Sequence, residues 1–129
     1  MLQSRVLLAA LSLAAIACAH PQGGPADVVN SQLITEDEIE RSQTVTAYEA
    51  VQKLRSSFLT YRGETSLDKS KSQPYPTVYV DGQRFGPIGS LLSIPALDVE
   101  SIRLYRSWDA TTKFGSSNMG GVIAVTTRH

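Results

Sequence analysis

The closing run Val122-Ile123-Ala124-Val125-Thr126-Thr127 constrains the fold more than any other segment. Its β-branched side chains favour a pleated strand, where they pack well, over a helix, where they lose rotamer freedom. A half-solvated strand alternates apolar with polar residues. The first four residues here do not alternate, so the run reads as a strand covered on both faces. Gly120-Gly121 precede it and let the chain swing tightly into a buried position. Such a strand needs a sheet around it and further layers packed on that sheet.

Other segments supply that sheet. Thr77-Val78-Tyr79-Val80 and Gln83-Arg84-Phe85 flank Asp81-Gly82. Asp-Gly between two such runs predicts a hairpin with a type I′ turn, which needs positive φ at both central residues. From Glu100 to Arg106 the residues alternate, with Ile102 and Leu104 inward and Arg103 and Tyr105 outward. Phe58 to Tyr61 reads as a short strand ended by Gly63, and Glu64 to Pro76 as a polar, solvated loop.

The helices lie mostly ahead of the strands. Thr35-Glu36-Asp37-Glu38 has the capping-box form, with Ile34 and Ile39 at the staple positions, and predicts a short helix to about Ser42. Thr46-Ala47-Tyr48-Glu49 repeats the box. Behind it Ala47, Ala50, Val51, Leu54 and Phe58 form one apolar stripe of helical spacing. A single turn is expected around Leu91-Leu92, stopped before Pro95. Ser107 is expected to cap a short helix, Trp108 to Phe114, with Gly115 turning left-handed after it. The class is α+β: a small mixed sheet packed against short helices.

The first residues read as an address. Met1 to Arg5 carries one positive charge, and the apolar run VLLAALSLAAIA follows to Ala17. Twelve helical residues rise only about 18 Å, too little for a bilayer core of roughly 30 Å. Residues 1–17 therefore read as a secretory signal. Ala15-Ile16-Ala17-Cys18 resembles a lipobox, with Ala15 where that pattern prefers Leu. The chain's single Cys at this place predicts lipidation of Cys18, and Ala19 after it predicts sorting to the outer membrane. The competing reading is ordinary A-x-A cleavage and a soluble periplasmic protein. Residues 18–32, with AHPQGGPADVVNSQ after the Cys, read as a flexible tether. Residues 33–129 are the folded domain.

Charge and residue content remove several functions. Twelve Lys+Arg balance twelve Asp+Glu, so there is no basic excess for nucleic acid. The two His, His20 and His129, and the lone Cys18 leave the domain interior without the usual base, thiol nucleophile or thiolate metal cluster. Glu36 and Glu40 share a helical face but suit its dipole. Ser107 and Asp109 have no nearby base. No catalytic residue, metal site or cofactor is expected.

Taken together, the segments resemble the plug domain of TonB-dependent outer-membrane receptors. The likeness runs through LITEDEIERS, VTAYEAVQKLR, TVYVDGQRF, IPALDVESIRLY and DATTKFGSSNMGGVIAVTTR. The last block, with its F-G followed by G-G-V-I, is the most specific. The resemblance implies a plug-like fold and a non-catalytic role in the cell envelope. It gives Asp81, Gly82, Gly115, Gly120 and Gly121 to structural turns. The expected departures are a chain that stops before any receptor barrel, and no convincing TonB box. Asp27-Val28-Val29-Asn30 is the nearest candidate for that box.

Recognition is expected at the surface. Arg103 and Tyr105 on one strand face, Arg106 following on the other side, and the Glu64–Pro76 loop are candidates for contacting a partner. Trp108 is either an exposed anchor or partly buried packing. Two functions follow. One is an interaction module, tethered to the outer membrane and facing the periplasm, associated with a receptor or envelope complex through an unidentified protein partner. The other is a periplasmic domain that binds a small ligand or peptide on the same fold.

Overall fold

The computed structural model describes residues 31–60 and 74–129. The leader, Cys18, the tether up to residue 30 with its Asp27–Asn30 segment, and loop residues 61–73 lie outside the described residues.

Five strands form one mixed sheet: β1 (Leu33–Thr35), β2 (Thr77–Val80), β3 (Gln83–Pro87), β4 (Val99–Tyr105) and β5 (Val122–Thr127). Their spatial order is β1-β4-β5-β2-β3. β5 runs parallel to β2 and antiparallel to β4, and the other pairs are antiparallel. The closing run is thus an interior strand, as its unbroken apolar start demanded. Val122, Ile123 and Val125 are buried, while Thr126 is exposed.

Helices α1 (Glu36–Ser42) and α2 (Ala47–Arg55) pack on one face. α1 opens with the full capping box. Glu38 N–H donates to Thr35 Oγ1 at 3.4 Å, and Thr35 N–H to Glu38 Oε2 at 3.1 Å. α2 has half of its box: Glu49 N–H donates to Thr46 Oγ1, but the Glu49 carboxylate reaches one residue further, to Val45 N–H. Ala47, Ala50 and Val51 of its stripe are buried, and Leu54 packs at the edge. With them the core gathers Ile34, Ile39, Leu91, Ile94, Val99, Ile102, Leu104, Ile123 and Val125.

Two expectations change. Phe58 is not in a strand: Ser56–Phe58 is a turn of 3-10 helix that continues α2. Phe58 is the last member of the α2 stripe. Burying it in the same core outweighs the strand preference of the aromatic ring. Helix α3 (Ser107–Phe114) begins one residue early. Arg106 occupies the cap position in extended conformation, and no side chain caps the end. Ser107 is thus the first helical residue rather than the cap. The single turn around Leu91 is a 3-10 helix, Ile88–Ser93, as expected.

Candidate functional site

The Asp81-Gly82 turn has φ of 48° and 82°, the two positive values that a type I′ hairpin requires. Asp81 also does something that turn chemistry does not foretell. Its carboxylate accepts from Thr127 N–H at 2.9 Å and from Thr127 Oγ1 at 2.6 Å. The hairpin tip is thereby fastened to the end of β5. The Thr127 hydroxyl, then its backbone N–H, pull the Asp81 carboxyl below the ordinary aspartate range. The signal for this lock was the Thr at the end of the closing strand, which parallel pairing of β2 and β5 brings beside the turn.

A second lock holds α1. Arg128 contacts Glu36 at 3.0 Å and Glu40 at 3.3 Å, and its Nε donates to Val99 O. These two carboxylates on one helix face are therefore bridged by a cation. Near the chain's entry, Arg55 Nε donates to Ser31 O at 2.9 Å, and its guanidinium meets Glu38 at 3.1 Å. Partial burial raises the Glu38 carboxyl, but the Thr35 N–H and the Arg55 hydrogen bond and charge outweigh it and leave the group lowered. Gln32 O accepts from Leu104 N–H, so hydrogen bonds to the domain begin within the stretch read as tether.

Gly115 and Gly121 shape the other face. Gly115 has φ 95° and ψ 165°, a region that only glycine occupies readily, rather than the left-handed helical one expected. Gly121 has φ 98°, and a Cβ there would stand 2.8 Å from Tyr105 O. Gly120 has no positive φ, so Gly121 alone of the pair carries the strained turn.

The candidate recognition residues separate. Ile102 and Leu104 are fully buried, which turns Arg103 and Tyr105 to the opposite face. Arg103 is exposed there. Tyr105 is half-buried: its ring meets Phe114 edge-on at 5.2 Å, and its hydroxyl accepts from Lys113 Nζ at 2.7 Å. Phe114 also lies 4.5 Å from the Tyr79 ring. The expected pair of exposed side chains is therefore one exposed Arg and one packed Tyr, because α3 brings Phe114 onto the sheet. Arg106 lies elsewhere, 5.8 Å over the Phe58 ring.

Trp108 is 81% exposed, which excludes the partly buried reading. α3 turns Ala110 and, one helical turn on, Phe114 to the sheet, leaving Trp108 outside. With Ser107, Thr111 and Met119 it lines a shallow hollow. A second groove, of about 360 Å³, is lined by Pro74, Tyr75, Thr77, Arg84, Pro87 and Ile88. Among the described residues, no group of three His, Cys, Asp or Glu is placed to hold a metal, and no helix is long and apolar enough to cross a membrane.

This mixed sheet, with its locked Asp-Gly hairpin and glycine-turned closing strand, can be set beside known families. Residues 26–122 match the TonB-dependent Receptor Plug Domain. The chain belongs to that plug family. Its α+β architecture is the one expected for a plug domain, and the family places it in the context of outer-membrane receptors. Plug domains of these receptors are not catalytic. No curated protein matches the chain.

Proposed function

We propose that this plug domain is a non-catalytic interaction module, held at the outer membrane by a lipid on Cys18, facing the periplasm, and associated with a receptor or another envelope complex through a protein partner. The observation that carries this reading is the plug-family match over residues 26–122. The surface is consistent with recognition of a partner, with Trp108 and Arg103 open to solvent. In the sequence, the apolar run ending at Cys18 and the Ala19 behind it support the anchor. Three acyl chains would hold firmly, since each buried methylene contributes about 0.8 kcal/mol.

The alternative, a soluble periplasmic domain for a small ligand or peptide, draws on the groove beside Arg84. That groove is a surface feature, and among the described residues its lining holds one charged side chain, Arg84, and no converging set of polar groups.

Intact mass and fractionation test the anchor. The full chain should carry a diacylglyceryl and an N-acyl group on Cys18, and Cys18→Ser should move it from membranes to the soluble periplasm. An unmodified Cys18, with the protein soluble, would leave the A-x-A secretory reading.

A further inference from the structure

The strand registers place five residues in one row across the whole sheet. Leu33 pairs with Arg103, Arg103 with Ala124, Ala124 with Tyr79, and Tyr79 with Arg84. Directly paired residues share a face, so the row lies on the side opposite the main core. In the neighbouring row, Tyr105 pairs with Val122 and Val122 with Thr77. That row sits toward α3, whose Phe114 packs on Tyr105 and also touches the longer row at Tyr79.

In the longer row Ala124 and Tyr79 lie between Arg103 and Arg84, with Leu33 beyond Arg103. Leu33, Ala124 and Tyr79 are half-buried, whereas Arg103 and Arg84 are exposed. Among the described residues neither of these two arginines has an ion pair or a hydrogen bond. The other described arginines are committed. Arg41 lies near Asp37, Arg55 meets Glu38, Arg128 meets Glu36 and Glu40, and Arg106 lies over Phe58. The two uncommitted guanidiniums thus fall in one row. Three strand spacings separate their backbones, about 14 Å.

We propose that this row docks an acidic protein partner, one that presents two carboxylates on the order of 14 Å apart around an apolar centre. The fork of a guanidinium matches a carboxylate in two parallel hydrogen bonds, and arginine keeps weaker hydration than lysine when an interface closes over it. An anionic lipid surface is read by clusters of about 4–8 cations, and this row has two. In a second copy of the chain the acids of α1 already face their own arginines, while Asp98, Glu100 and Asp109 are exposed acids outside those pairs, so self-capture is one outcome of the test. The proposal rests on the interaction-module reading and does not depend on the lipid.

A photo-crosslinking residue at Thr126 tests it in the cells that make the full chain. Thr126 is exposed and lies on the same face, two residues beyond Ala124. The expected adduct is to a protein whose cross-linked segment carries Asp or Glu. Arg84→Glu with Arg103→Glu should lower its yield by about tenfold or more. Arg84→Lys with Arg103→Lys, which keeps the charge but loses the fork, should give a yield between those of the parent and the charge reversal, and the melting temperature of both double variants should stay near that of the parent. An adduct indifferent to charge reversal, or one to lipid or to a second copy, overturns the proposal. If Thr126 captures no protein but a crosslinker at Trp108 does, this row is not the surface and the interaction-module reading stands. If neither position captures a protein, both fall.

Discussion

The two faces of the sheet are built by different means. On one, the cross-strand rows are apolar up to the edge strand β3: Ile34-Ile102-Val125-Val80, and Leu104-Ile123-Val78 beside it, reaching Gln83 and Gly86 only on β3. Ile39, Ala47, Ala50 and Val51 close them in a single core. On the other face α3 contributes Ala110 and Phe114, and the next row carries two exposed arginines, Arg103 and Arg84. At about 25 cal/mol per Å² of apolar surface buried, the first face supplies most of the driving force. The second depends on the backbone fit that lets α3 and β5 approach, and it leaves side chains free for contact with something else. On the proposed reading, stability and recognition fall on opposite sides of one sheet.

The sharpest contrast should come from two glycines with similar φ. Gly121→Ala places a Cβ 2.8 Å from Tyr105 O in addition to the strain of a positive φ, while a Cβ at Gly82 meets nothing within 4 Å. Gly121→Ala should cost about 3 kcal/mol, from strain and overpacking together. Gly82→Ala should cost about 1 kcal/mol, from backbone strain alone. Urea denaturation midpoints read the difference. Equal losses would mean that close approach of β4 and the turn before β5 does not hold the second face.

A smaller effect is expected at the lock between the hairpin tip and the end of β5. The Asp81 carboxyl is lowered by its Thr127 bonds, so its contribution is present above the unfolded aspartate pKa of about 3.9 and is lost as pH falls through the lower folded value. Asp81→Asn keeps a residue that tolerates positive φ but removes the charged acceptor. The variant should melt below the parent at pH 7, and the gap should close on acidification. A gap that stays constant down to the acid limit would show that the charge on Asp81 plays no part.

The first face was legible in the sequence and the second only in part. Ile102 and Leu104, the α2 stripe and the Thr35 box follow from period and spacing, which are local. The β1-β4-β5-β2-β3 order is not local. It alone puts Thr127 beside Asp81 and aligns Arg84 with Arg103 across two intervening strands. Tyr105 alternated outward, as its parity required, yet it is packed, because a helix later in the chain lays Phe114 on it. Trp108 could not be settled by composition. Its exposure depends on which residues of α3 face the sheet, and Ala110 with Phe114 decide that. In the sequence Gly120-Gly121 marks a tight swing, but the atom that Gly121 makes room for, the Tyr105 carbonyl, belongs to another strand.

Alanine substitution along Ile102, Arg103, Leu104 and Tyr105, followed by equilibrium denaturation, tests the division of labour most directly. Ile102→Ala and Leu104→Ala should each cost about 2–5 kcal/mol, as buried aliphatic truncations do. Arg103→Ala should stay within about 0.5 kcal/mol of the parent. Tyr105→Ala should fall between, at roughly 1–2 kcal/mol, through its lost contact with Phe114. That alternation along one strand is the result predicted for a sheet with one face closed for folding and one open for binding. A flat profile, or an Arg103→Ala loss as large as that at Leu104, would contradict it.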